Sequence, residues 1–171
     1  MSKTNLKREL SGLSKEEIIE VVLSAYSANK ETKEYFEFFL NPDAEGLLEK
    51  FRQLINREMS RTKSGHRTKA RISVIKAHIR KFASFQPGAD YVLAIYLDTI
   101  KSALWTERAV YFSQTMFNGI KALTTSALEF ADTAGHFSEF INTLVELLDK
   151  DTGTKYFRKL LKEEVSAFLN R

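Results

Sequence analysis

Tyr91-Val92-Leu93-Ala94-Ile95-Tyr96-Leu97 is the stretch on which the fold class turns. It is continuous, aromatic and β-branched, and a buried strand or a buried helix both fit such a run. The helix reading prevails because Leu93, Leu97, Ile100 and Leu104 carry the run onward at helical spacing. A partner strand for it appears nowhere else in the chain. With this stretch helical, the remaining segments agree, and the sequence predicts an all-α protein.

Upstream, Gln86-Pro87-Gly88-Ala89-Asp90 is a turn, with Asp90 as the expected cap of the helix that follows. Before it, a helix from about Arg67 presents Ile72, Ile75, Ile79 and Phe82 inward, with Arg67, Arg71, His78 and Lys81 on another face. An earlier helix, capped by Asp43, carries Leu47, Leu48, Phe51, Leu54, Ile55 and Met59 and ends before Ser64-Gly65. Downstream, Thr106-Glu107-Arg108 reads as the start of a long helix. Its stripe is Ala109, Met116, Leu123 and Phe130, with Phe112, Ile120 and Ala127 beside it. This stripe is expected to face the chain's own core rather than a dimer seam, and Trp105 is read as core. Gly119 within it costs up to about 1 kcal/mol against alanine, which points to close packing or a bend. Two more helices follow, one through Phe137, Ile141, Leu144 and Leu148, the other through Phe157, Leu161, Val165 and Phe168. The turn Asp149-Lys150-Asp151-Thr152-Gly153 joins them.

At the other end, Leu6, Leu10 and Leu13 mark a short opening helix. Ser14-Lys15-Glu16-Glu17 reads as a capping box, in which the serine oxygen accepts from a free backbone N–H and Glu17 reaches back. The helix behind it carries Ile18, Val21, Val22, Ala25 and Tyr26. A second, Thr32 to Leu40, ends at Asn41-Pro42, because the residue before proline is driven from the helical region. Thr32-Lys33-Glu34-Tyr35-Phe36 echoes Thr154-Lys155-Tyr156-Phe157, each beginning the second helix of a hairpin. The expected architecture is one domain over 1–171. It holds seven to nine helices in antiparallel hairpins, as a bundle or a short α-solenoid-like stack.

The opening Leu6-Lys7-x-x-Leu10-x-x-Leu13-Ser14-Lys15-Glu16-Glu17-Ile18-Ile19-Glu20, with Lys33-x-Tyr35-Phe36-x-x-Phe39-Leu40-Asn41-Pro42, resembles a group of small bacterial helical proteins of unknown function. The likeness covers about the first quarter of the chain and rests on a capped helical hairpin. It implies a bacterial cytosolic setting and carries no catalytic residues across.

Charge singles out one segment. Arg57 to Lys81 holds nine cations (Arg57, Arg61, Lys63, Arg67, Lys69, Arg71, Lys76, Arg80 and Lys81) and one acid, Glu58. The segment is thus +8 in a chain of +4, so the remainder is −4 and the basic charge is concentrated. Clustered Lys and Arg attract phosphate backbones and acidic surfaces. The expected binding residues are Arg61, Lys63, Arg67, Lys69, Arg71, Lys76, Arg80 and Lys81, with Ser60, Thr62, Ser64 and Thr68 as further donors. The expected partner is an acidic protein or a nucleic acid. Against nucleic acid, the segment contains no aromatic residue to stack on bases. The bland alternative is that these charges offset acids such as Glu45, Glu49, Asp90 and Asp98.

Other chemistry is excluded or unmarked. The chain has no cysteine, which rules out disulfides, thiolate nucleophiles and Cys-based zinc sites. His66, His78 and His136 lack the i,i+4 pairing of a helical metal site, so no metal and no cofactor is expected. G-x-S-x-G, phosphate-loop and dinucleotide fingerprints are missing, and adjacent carboxylates such as Glu163 and Glu164 face different ways on a helix. An enzyme with a dispersed site stays open as an alternative. No run reaches the 18 or so apolar residues of a membrane span, and the opening lacks a secretory core. The expectation is a cytoplasmic, non-enzymatic interaction module, monomeric or homodimeric.

Overall fold

A computed structural model describes residues 2–150 and 152–170; Asp151, placed by the sequence in the last turn, lies outside the described residues. Among the described residues there are nine helices and one two-stranded ribbon. The helices are α1 (Lys3–Leu10), α2 (Lys15–Ala28), α3 (Lys30–Leu40), α4 (Ala44–Met59), α5 (Ile72–Ser84), α6 (Ala89–Ala109), α7 (Gln114–Thr133), α8 (Phe137–Asp149) and α9 (Lys155–Leu169). The ribbon, β1 (Thr62–Lys63) and β2 (Arg67–Thr68), lies between α4 and α5. The fold is all-α, and the deciding stretch is helical within α6, with Val92, Leu93 and Ile95 buried. The chain forms two compact units that meet in sequence at Asp43 and Ala44.

In the first unit the caps act as the sequence anticipates. Ser14 Oγ accepts from Glu17 N at 3.2 Å, and Glu17 Oε2 accepts from Ser14 N at 2.7 Å. These bonds to the ionised form hold the Glu17 carboxyl below its ordinary range. Asn29 caps α3 by accepting from Glu31 N and Thr32 N. Tyr26 of α2 meets Phe36 of α3 with ring centroids 6.5 Å apart. None of the three helices holds a buried residue.

The second unit is a stack of three antiparallel hairpins. In the first, Phe51 of α4 packs on Phe82 of α5 at 5.5 Å, while Glu58 at the other end meets Arg71. In the second, Tyr96 of α6 lies against Phe130 of α7. In the third, Phe137 of α8 stacks on Phe168 of α9, and Asp149 pairs with Lys162 at 2.6 Å. Equivalent helices of successive hairpins then run alongside one another: α4 beside α6, α5 beside α7, and α7 beside α9. Arg52–Asp98 at 2.6 Å and Phe117–Phe157 at 5.0 Å are examples of these contacts. This is the short solenoid-like arrangement, each hairpin covering the next. Ile55, Met59, Ile75, Phe82, Ile95, Ile100, Leu104 and Phe157 lie wholly inside. Of the expected stripe, Met116 and Leu123 are buried in this core with Ile120 and Ala127 beside them, whereas Phe130 is half-buried and Ala109 is exposed at the end of α6.

Gly119 is a packing glycine. A Cβ there would overlap Ile72 Cγ1 and lie 3.0 Å from Ile72 Cβ, so α5 approaches α7 only because position 119 is bare. Gly153 plays the same part against Leu104, whose Cδ2 would stand 2.7 Å from an added Cβ.

Several expectations are corrected. Thr106-Glu107-Arg108 closes α6 instead of opening α7, which starts after Ser113; Ser113 Oγ accepts from Met116 N. The break falls there because Tyr111 is drawn into backbone pairing with the ribbon. Asp90 lies in the first turn of α6, and Gly88, at φ 116°, occupies the cap position. Trp105 is 59% exposed, one position off the buried Ala103–Leu104 edge of its helix. The echo between residues 32 and 154 fails at the caps: Thr154 caps α9, whereas Asn29, not Thr32, caps α3.

Candidate functional site

The basic segment spans the end of α4, the ribbon and α5. Its only acid organises it. Glu58, 7% exposed, accepts from Arg61 Nη1 at 3.0 Å on both carboxylate oxygens. It also accepts from Arg71 Nε at 3.0 Å, Arg71 Nη2 at 3.1 Å and Arg71 N at 2.9 Å. Arg71 above all, and Arg61 with it, stabilises the carboxylate against its burial and holds the carboxyl down at about 2. Arg61 stands just before the ribbon and Arg71 just after it, so one buried carboxylate ties both ends of the loop. These two arginines are therefore structural ties as well as surface cations.

The loop they close is a β-hairpin, where the sequence reading expected a helix from Arg67. Thr62 pairs with Thr68 and Lys63 with Arg67. Lys69 N donates to Arg61 O at 2.7 Å, extending the ladder. The turn is made by Gly65 at φ 74° and His66 at φ 52°, both in the left-handed region that hairpin loops require. The signal for it is short: threonine and basic residues on either side of Ser64-Gly65. Two-residue strands carry too little periodicity to outweigh the helical rhythm that resumes at Ile72.

A third extended segment joins the ribbon from far along the chain. Tyr111 N donates to His66 O at 2.7 Å, and Thr68 N donates to Tyr111 O at 2.9 Å, which places Tyr111 parallel to Arg67. The Tyr111 side chain is 80% exposed. Behind it lies a cavity of about 540 Å³ walled by His66, Glu107, Phe112, Phe117 and Tyr156. Glu107 braces that wall by accepting from Thr154 Oγ1 at 3.0 Å and Thr154 N at 3.2 Å. The aromatic absent from residues 57–81 is thus supplied from position 111, a pairing that no local pattern announces.

The eight expected binding residues fall into three places. Lys63, Arg67 and Lys69 are exposed along the ribbon, and among the described residues none of them forms an ion pair. Arg61 and Arg71 are held by Glu58, beside Arg57 and His78 at a cavity of about 390 Å³. Burial pushes the His78 imidazole below its ordinary range. Lys76 and Arg80 lie on the other side of α5, at a smaller cavity with Tyr96, Leu123 and Ser126, and Lys81 is half-buried near the helix end. Three of the four acids weighed as possible partners are engaged elsewhere, Asp98 with Arg52, Glu49 with Arg52, and Asp90 with His136 at 3.3 Å, while Glu45 is exposed in the first turn of α4.

Among the described residues no group of three or more His, Asp or Glu side chains is arranged to hold a metal ion, and no helix is long and apolar enough to cross a membrane. No curated protein and no solved structure matches the chain. A protein-family model does match, over residues 1–168, and the chain belongs to that family, the Family of unknown function (DUF6155).

Proposed function

We propose that this protein is an interaction module that binds single-stranded nucleic acid along the ribbon formed by Thr62–Lys63, Arg67–Thr68 and Tyr111. One observation carries the reading: an 80% exposed tyrosine is paired by its backbone to a ribbon whose cations form no ion pair among the described residues. Extended strands space their side chains regularly, so Lys63, Arg67 and Lys69 can follow successive phosphates while Tyr111 offers a face for a base. Phosphate contacts alone give affinity without sequence preference, so binding is expected to be salt-sensitive and tolerant of sequence. The cytoplasmic, bacterial setting implied by the N-terminal resemblance suits such a partner.

The test is fluorescence anisotropy of labelled single- and double-stranded RNA and DNA, with wild type and two variants. Tyr111→Ala is expected to weaken single-strand binding by about 1–3 kcal/mol, the value of one stacked base. Lys63→Gln/Arg67→Gln/Lys69→Gln is expected to flatten the plot of log affinity against log salt, by about 0.7 for each lost contact. Arg61 and Arg71 are left intact, since altering them releases Glu58. No binding at low salt, or equal binding by all three proteins, refutes the assignment. Co-purification of an acidic protein with wild type but not with the triple variant would move the ribbon's partner to that class.

A further inference from the structure

The cavity of about 390 Å³ between the end of α4 and the start of α5 gathers Arg57, Arg61, Arg71 and His78, with half-buried Leu54 and Val74 beside them. Helical spacing builds its two long walls. Arg57 follows Leu54 at i+3 on α4, and His78 follows Val74 at i+4 on α5, so each helix supplies one apolar and one basic side chain. Arg61 and Arg71 come from the two ends of the loop between these helices. Glu58 fixes both but occupies only part of each guanidinium. It takes Nη1 of Arg61 and Nε and Nη2 of Arg71. Among the described residues, Nε and Nη2 of Arg61 and Nη1 of Arg71 donate to nothing, and the Arg57 side chain forms no ion pair. Three guanidiniums against one carboxylate leave the cavity at +2 with His78 neutral. Clustered cations repel one another, and an anion seated among them relieves that repulsion. Two of the three are already held in place by a buried carboxylate, which lowers the ordering cost of binding.

We infer that this cavity binds a phosphomonoester group. Such a group carries about −2 at neutral pH and three acceptor oxygens, which matches a +2 site with three guanidiniums. Arginine forks pair with phosphate oxygens two at a time, a geometry that a lysine cluster lacks. An internal phosphodiester carries a single charge and is the poorer match. Leu54 and Val74 keep water from part of the wall, which strengthens the ion pairs beside them. The volume falls within the roughly 300–1,000 Å³ of small-ligand sites, so an organic body fits behind the phosphate. His78, set edge-on against Phe51 with ring centroids 6.3 Å apart, adds a ring nitrogen to the wall. The Glu58 carboxylate is already enclosed by N–H groups of its two arginines. A small soluble ester and the terminal phosphate of a nucleic-acid strand both present this chemistry. The inference is independent of strand binding on the ribbon, since Lys63, Arg67, Lys69 and Tyr111 do not line this cavity.

The full chain is titrated by calorimetry at fixed ionic strength with a glycerol phosphate and with succinate, while NMR follows the imidazoles of His66, His78 and His136. Saturable binding of the glycerol phosphate is expected, with the His78 signals moving and those of His66 and His136 still. Arg57→Gln breaks no tie to Glu58. It is expected to weaken binding at least about tenfold, the loss of one charged hydrogen bond, at an unchanged melting temperature. Lys63→Gln/Arg67→Gln/Lys69→Gln is expected to leave this binding as it is, so the ribbon and the cavity succeed or fail separately. The proposal is overturned by an absence of saturable binding, by succinate binding as tightly, by His66 moving in place of His78, or by equal binding of the Arg57 variant. A short single-stranded oligonucleotide with and without a terminal phosphate then separates the two sources. Affinity gained on phosphorylation and lost in Arg57→Gln identifies the strand end; equal binding identifies the small ester.

Discussion

At the scale of the residue, Glu58 does most to shape the basic segment. It engages two of the nine cations as ties, while among the described residues the three along the ribbon form no ion pair. Glu58→Gln keeps the shape but loses the charge that its arginines need. It is expected to lower stability by about 2–3 kcal/mol, a charged hydrogen-bond loss, read from the urea midpoint. The pH dependence follows from the same group. Its folded carboxyl titrates at about 2 against 4.5 when unconstrained, so its contribution is complete above about pH 4.5 and is lost as pH falls toward 2. His78 acts at higher pH: its folded imidazole is depressed by burial, so the unfolded chain protonates first and stability begins to decline below about 6.5. Melting temperatures between pH 7 and 2.5 are expected to fall in two stages, and Glu58→Gln to flatten the lower one. Glu58 was visible in the sequence as the lone acid of its segment. Its burial was not, because inward or outward placement depends on where Arg71 arrives after the intervening loop.

At the scale of the element, the legible features were those with local causes. The Ser14–Glu17 box and the stop at Asn41-Pro42 each rest on residues within a turn of one another. The features that escaped have distant causes. The α6–α7 break lies where Tyr111 is claimed by His66 and Thr68, some forty residues earlier, so no window around Thr106 contains the reason. Trp105 was taken for core on its hydrophobicity, although exposure is decided by its position beside, rather than on, the buried edge of α6. Gly119 shows the opposite case, in which a local oddity correctly signalled a distant contact. Gly119→Ala gains up to about 1 kcal/mol of helix propensity, but the added methyl meets the branched stem of Ile72. Overpacking of this kind costs about 1–3 kcal/mol, so net destabilisation is expected, and Ile72→Ala in the same chain should recover part of it. Thermal denaturation of the two variants decides the sign.

At the scale of the whole molecule, the chain forms two compact units, the second a stack of three hairpins. The all-α class was readable because hydrophobic period accumulates over long helices, whereas the candidate site was only partly readable. Its cations stood out as a run, yet the run divides among three places on α4, α5 and the ribbon, and its aromatic comes from the α6–α7 connection. The proposed surface is therefore a product of the stack's geometry rather than of the segment alone. Hydrogen–deuterium exchange of the full chain, with and without a single-stranded oligonucleotide at low salt, tests this most directly. Protection confined to residues 62–69 and 110–112 is the expected result; no change there, or protection centred on another surface, contradicts the account.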